Sequence, residues 1–369
     1  MKKYPTTPKP LPTDKLTFDL NDIKKAIPKH CFERSLVTSF GYLIHDLVLT
    51  ALLVYGATFI GHPSLPAWSS YVLWPVYWIC QGVVGFGLWI LAHECGHQAF
   101  SDYGIVNDTV GLIVHSALLV PYFSWKISHK NHHANTGSLE NDEPDVPSRR
   151  STFSPKEMIR ETPLYSAYLL FLVLTLGWMP GYLFFNLGGP AKYWNKSRSH
   201  FNPYSALYEP KHFWQIVISD LALIFYLGVF GWIIYTFGFA TWLYFYLPPY
   251  LIVNATLVLI TFLQHTDVYL PHFDEKEWDW LRGALCTVDR SFGILNYFHH
   301  HITDTHVAHH LFSNMPFYHA QEATEHIKKV LGKFYMKDET PVVSALWRAF
   351  RNCKYIEDES HIAFYKRDW

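Results

Sequence analysis

Three long stretches of this chain hold no lysine or arginine: between Ser35 and Trp125, between Glu161 and Ala191, and between His212 and Glu275. They are filled with Leu, Ile, Val and aromatic residues. A bilayer selects such runs, because a cation at the centre of a spanning helix costs ~3 kcal/mol. Half of the 369 residues are apolar and 17% are charged, against ~25% in an ordinary soluble domain. The 30 Lys+Arg nearly balance 31 Asp+Glu, so the basic excess of a nucleic-acid binder is missing. A chain this apolar also buries too much surface to be disordered. The expectation is a polytopic membrane protein.

Residues 1–35 read as a cytosolic lead-in, a Pro- and Lys-rich tail followed by a short amphipathic helix, Leu20–Ile27, ended by Pro28. No apolar core of a cleavable signal peptide is expected there. Apolar segments at about 36–60, 68–92, 213–236 and 240–263 each reach the ~20 residues that a span needs. Two others, 110–123 and 164–187, are short or interrupted by Gly and Pro. Lys and Arg cluster at 2–34, 126–160, 192–211 and 276–367 and are absent from the turns near 61–67 and 237–243. Cytoplasmic loops carry the positive charge, so an even number of crossings separates these clusters. The fold class expected is an all-α membrane protein, a four-span helical bundle with 110–123 and 164–187 as two shallow or interfacial helices. A transmembrane bundle over 36–263 then carries cytosolic segments 93–109 and 124–163, and 264–369 forms a cytosolic cap. The five cysteines are scattered without a C-x-x-C pair, which reads as reduced thiols rather than a disulfide framework.

Histidine is the anomaly, with 22 copies in a chain otherwise poor in polar groups. His93 and His97 stand at the end of the second span, His129, His132 and His133 follow segment 110–123, and His306, His309 and His310 lie in the tail. On a helix, residues at i, i+3 and i+4 share a face, so each cluster aims its imidazoles one way. All three fall on the cytoplasmic side. One such pair alone is usually structural; together they offer eight nitrogens, four ligands for each of two metal ions. Imidazole suits iron, zinc, copper and nickel alike, so ligand type leaves the metal open. His265, directly after the last span, is placed to add a ninth ligand, and Glu94, Asp267 and Asp304 are placed to orient imidazoles through their second N–H. No catalytic residue separate from the ligands is expected. His299, His300 and His301 read as supporting or surface groups, His30, His45, His62, His115 and His200 as structural, and His319 and His326 as ambiguous.

His93–Phe100 (HECGHQAF), His129–Glu143 (HKNHHANTGSLENDE) and Thr303–Phe312 (TDTHVAHHLF) resemble the membrane fatty acyl desaturases, closest to the endoplasmic delta-12 class and its omega-3 relatives. The likeness extends from about residue 25 onward and includes Ile27–Phe32 (IPKHCF), Gly283–Phe292 (GALCTVDRSF) and Met315–Ala320. It implies a di-iron centre held by the three histidine boxes, with His265 also a ligand, in a cytoplasmic cap on a four-span bundle. It implies electrons from a separate cytochrome b5 fed by NADH and its reductase, and an acyl substrate carried on membrane phospholipid. Gln98 and His301 depart from the histidine and asparagine common in plant relatives, and neither is in the ligand set. Glu94 is the commoner residue of the delta-12 class, where many omega-3 enzymes carry Asp.

The expected reaction is therefore O2-dependent insertion of a cis double bond at delta-12 of oleoyl chains, which redox-inert zinc cannot support. An omega-3 or bifunctional desaturase, or a hydroxylase, epoxygenase or conjugase, shares the boxes and differs in how the chain sits. A His-rich metal transporter would instead place ligands within its spans. Lys126, Lys130, Arg149 and Arg150 are expected to dock an acidic donor, and Tyr365–Trp369 resembles a retrieval signal of the endoplasmic reticulum. Both termini are expected in the cytosol.

Overall fold

The computed structural model describes residues 7–143, 146–152 and 162–367. The first six residues, part of segment 124–163, and Asp368 and Trp369 of the retrieval motif lie outside them. The chain is mostly helical. Helix α1 (Leu20–Ala26) starts with a reciprocal cap between Asp19 and Asp22 and stops before Pro28. Helix α2 (Leu36–Ala57), capped by the Ser35 hydroxyl, is followed by α3 (Ser69–Gly96). At 28 residues α3 is about 42 Å long, more than the ~30 Å hydrocarbon core. Its last turn therefore carries His93 past the apolar region that sequence reading ended at residue 92.

Segment 110–123, expected as one shallow helix, is divided between two. Helix α4 (Gly104–Ala117) and α5 (Tyr122–Asn135) meet at 107°, with Leu119 left-handed (φ 55°) in the break and Pro121 opening α5. Helix α6 (Pro163–Leu176) runs on through a π-helical stretch, Gly177–Phe184, whose Pro180 cannot donate to a normal helical ladder. Helix α7 (Phe213–Phe237) ends at Gly238 (φ 87°), and α8 (Phe239–Phe245) leads into α9 (Leu247–His265), with Pro248 and Pro249 in its first turn. Among the described residues, five helical segments are long and apolar enough to cross a membrane, Pro163–Phe184 among them, or six if the bent pair counts as one span. Leu221, Ile224, Phe225 and Trp232 of α7 are exposed, as lipid-facing side chains would be.

Helices α3 and α9 pack closely through small residues: a Cβ on Gly82 would sit 2.5 Å from Ile252 Cγ2. The remaining chain folds over one end of this bundle as α10 (Trp280–Ala284), α11 (Leu295–Phe298), α12 (His306–Leu311), α13 (Phe317–Leu331) and α14 (Val342–Asn352). Two small sheets tie it together: β1 (Pro271–Phe273) antiparallel to β4 (Ile362–Phe364), and β2 (Asp289–Arg290) parallel to β3 (Lys337–Asp338). The amino-terminal segment belongs to the same body, since Ile23, Ile27 and Cys31 share a core with Val307, Leu311, Ala323 and Ile327.

Candidate metal centre

Three helix ends converge where the bundle meets the cap. α3 brings His93 and the following His97; α5 brings His129, His132 and His133; α12 brings His306, His309 and His310. The last residue of α9 is His265. A Cβ on Gly96 would lie 2.8 Å from the Trp125 ring, so the bare glycine lets α5 lie against the end of α3.

The nine imidazoles divide into two groups. His93, His97, His129, His133 and His309 place one nitrogen each within 4.8 Å of all the others, and so do His132, His265 and His310. His306 adjoins the second group, its Nε2 3.0 Å from His265 Nε2. Adjacent residues on a helix point about 100° apart. That is why His132 and His133 serve opposite groups, as do His309 and His310.

Neighbouring carboxylates set which nitrogens face inward. Glu94 Oε1 accepts from His93 Nδ1 at 3.1 Å and stands 3.9 Å from His309 Nδ1. Asp142 Oδ1 accepts from His132 Nδ1 at 2.7 Å, while its other oxygen accepts from Gly137 N. Thr136 Oγ1, which donates to the His132 carbonyl, stands 3.3 Å from His310 Nδ1. With Nδ1 carrying the proton, each Nε2 presents a lone pair. His93 Nε2 then faces His129 Nε2 at 2.9 Å and His97 Nε2 at 3.3 Å, and the buried Nε2 atoms of His309 and His310 have no hydrogen-bond partner. Burial, then His265, His97 and His306 respectively, hold His306, His309 and His310 well below the ordinary imidazole pKa, so all three are neutral. Buried imidazole nitrogens that converge without a donor among them are a set of ligand atoms for cations. The residues fit two divalent transition metals with nitrogen ligands.

Two expectations need correction. Asp267 orients no imidazole: its carboxylate is taken by Arg290 (2.9 Å) and Arg348 (2.7 Å). Asp304 pairs with His301, which stands outside the cluster. The reading of the chain missed Asp142, which a glycine turn (Gly137, φ 73°) folds back onto α5. It also missed Trp280 and Trp278, whose indole N–H groups donate to the carbonyls of His133 and Thr136 at the end of α5. His115 and His200 are buried and hydrogen-bonded to main-chain carbonyls, and His300 pairs with Asp46 at 2.7 Å.

An apolar cavity of about 500 Å³ opens onto the cluster. Phe86, Trp89, Ile90 and His93 lie on one face of α3 at helical spacing, so the stripe that walls the cavity runs straight into the first group. Leu257, Thr261 and His265 do the same on α9, and the π-helical stretch adds Trp178 and Tyr182. Unusual helical turns of that kind often sit at functional sites.

Comparison with known proteins gives the relatives of the chain. Residues 66–340 match the model of the family described as fatty acid desaturase. The chain is 52% identical to the "Delta(12)-acyl-lipid-desaturase" of Punica granatum, over 95% of this chain and 89% of that protein. It is 50% identical to the "Omega-6 fatty acid desaturase, endoplasmic reticulum" of Brassica juncea (97% and 92%). It is 49% identical to the "Delta(12)-fatty-acid desaturase" of Arabidopsis thaliana (97% and 92%).

Proposed function

The chain belongs to the fatty acid desaturase family, and from that premise we infer that it is an O2-dependent delta-12 (omega-6) desaturase of the endoplasmic reticulum membrane, converting oleoyl to linoleoyl chains. The observation that carries this reading is an apolar, aromatic-walled cavity that opens onto converging imidazoles, in a chain about half identical to delta-12 enzymes over nearly its whole length.

His93, His97, His129, His133 and His309 would hold one iron ion, and His132, His265, His306 and His310 the other. A bound iron pair supplies the redox chemistry that O2 activation and removal of hydrogen from an unactivated methylene demand. The protein's own residues supply the rest. Glu94 and Asp142 fix the tautomers of His93 and His132, so these nitrogens need no reorientation when metal enters. Phe86, Trp89, Trp178 and Leu257 exclude water and hold the acyl chain by apolar contact, with one C–C bond at the histidine end. Where the chain lies along these walls selects the carbon pair.

Four spans (α2, α3, α7 and α8–α9) with α4–α5 and α6 shallow keep every Lys/Arg-bearing region and both termini in the cytosol. The acyl chain rides on a phospholipid, and cytochrome b5 delivers the electrons. Lys126 already pairs with Asp108 (2.5 Å) and Arg149 reaches Glu140 (3.9 Å), so exposed Lys130 is the stronger docking contact of the basic residues near α5.

Expression in a yeast strain that makes only monounsaturated chains tests the reading. Linoleate is expected with the intact protein and none with His309→Ala. A hydroxy or epoxy acid, or product only when linoleate is fed, would overturn the delta-12 assignment.

A further inference from the structure

A second group of metal-binding side chains lies outside the nine-histidine cluster. His30 and Cys31 sit on the single turn Lys29–Phe32, and His319 and Glu322 stand one turn apart on α13. One donor atom from each lies within 4.8 Å of all the others. His30 Nε2 is 2.9 Å from Glu322 Oε2 and 3.7 Å from Cys31 Sγ, and the His30 and His319 rings meet edge to face at 5.5 Å. The desaturation chemistry uses none of these four residues.

We propose that they form a structural zinc site, with Cys31, His30, His319 and Glu322 as its four ligands. A thiolate, two imidazoles and a carboxylate are a donor set that Zn2+ takes in a closed tetrahedral site. With metal–ligand distances of ~2.0–2.3 Å, such donors stand roughly 3.3–3.8 Å apart, so only small side-chain rotations separate the present geometry from a closed one. On binding, the Cys31 thiol proton leaves to solvent, and the His30 proton that now faces Glu322 moves to Nδ1. Entry and anchoring are both provided for. His30 and Glu322 are about half exposed, whereas Cys31 is fully buried against the packed face of α13.

The consequence is mechanical. Residues 292 positions apart become cross-linked, fastening the amino-terminal segment to the cap. Cys31 packs in the same core as Val307 and Ala308 of α12, the helix that presents His306, His309 and His310. Zinc here holds that helix in place without touching the nine-histidine cluster.

Cobalt distinguishes this site from the nine-histidine cluster, because only a thiolate gives a near-ultraviolet sulfur-to-cobalt charge-transfer band and the nine histidines include no cysteine. Metal-free full-length protein in detergent is titrated with Co2+. The band is expected in the intact protein and in Cys286→Ser, whose thiol lines the acyl cavity, and is lost in Cys31→Ser. Its midpoint moves to roughly 10-fold higher cobalt or more in Glu322→Gln, a surface variant that folds even where Cys31→Ser does not. No band in folded intact protein, a band that survives in Cys31→Ser, or an unmoved midpoint in Glu322→Gln would overturn the proposal. The desaturase reading stands or falls separately, on the yeast lipid profile.

Discussion

Two buried polar clusters lie within the cap, and they are built on opposite plans. In one, Arg290 and Arg348 face Asp267 and Asp338, two cations against two anions. Arg290 also donates to the Leu263 carbonyl and the Tyr269 hydroxyl, so each of its three guanidinium nitrogens has a partner. In the other, two carboxylates steer His93 and His132 among nine imidazoles, and the Nε2 atoms of His309 and His310 have no partner. A buried network with every group satisfied holds chain segments together. One that aims lone pairs inward is built to take a cation. Asp267 and Asp142 differ in just this way: one closes an ion network, the other aims an imidazole.

The contrast breaks most sharply at a ligand. His309→Ala removes an inward nitrogen and is expected to abolish linoleate while the protein still folds, as lipid profile and thermal melting together would show. Substantial linoleate from that variant would detach the histidines from the chemistry. In the ion cluster, Arg290→Met leaves two buried carboxylates with one guanidinium. A loss of ~3–5 kcal/mol in unfolding stability is expected, with metal content of the remaining folded protein unchanged. Asp142→Asn keeps the shape but frees the His132 tautomer, so metal affinity or turnover should fall ~10–100-fold with little change in melting temperature. Equal damage to both would mean that Asp142 is merely structural.

Acid separates the clusters further. Burial works to raise the Asp338 pKa, but the Arg290 charge and hydrogen bonds from Thr340 and Arg348 hold it at about 2. That lies below the ~3.9 of an unfolded aspartate, so the stability it contributes is complete above about pH 4 and is lost as pH falls toward 2. Asp338→Asn should flatten that part of the acid-unfolding curve; an unchanged slope would contradict the pairing. The smallest effect is expected from Thr136→Val, which takes a weak contact from His310 and the hydroxyl's bond to the His132 carbonyl, and ~1 kcal/mol or less from metal binding, read as a few-fold rise in the metal dissociation constant.

The chain alone revealed what depends on local spacing. Absent Lys and Arg marked the apolar helices, Pro28 marked the end of α1, and i, i+3, i+4 spacing marked the three boxes. Limits appeared wherever one residue in the folded chain overrules a pattern. Left-handed Leu119 turns one apolar run into parts of two helices. α3 continues through His93 and Glu94 because they are buried against the cap, although neither is apolar. Contacts between distant residues left no local trace. Trp280 reaches His133 across 147 positions and His30 reaches Glu322 across 292, so neither could be inferred from its neighbours. Asp267 drew attention because it lies two residues past His265, whereas Asp142 lies nine past His133, and only the fold shows that arginines take the first while the second meets His132.

The most direct test of the two-group arrangement is the iron content of the purified protein, measured alongside its fold. The intact chain should hold two iron ions, and the double variant His265→Ala/His310→Ala, which strips the second group alone, should hold one. One iron or none in well-folded intact protein, or two in the double variant, would contradict a centre divided between these two sets of histidines.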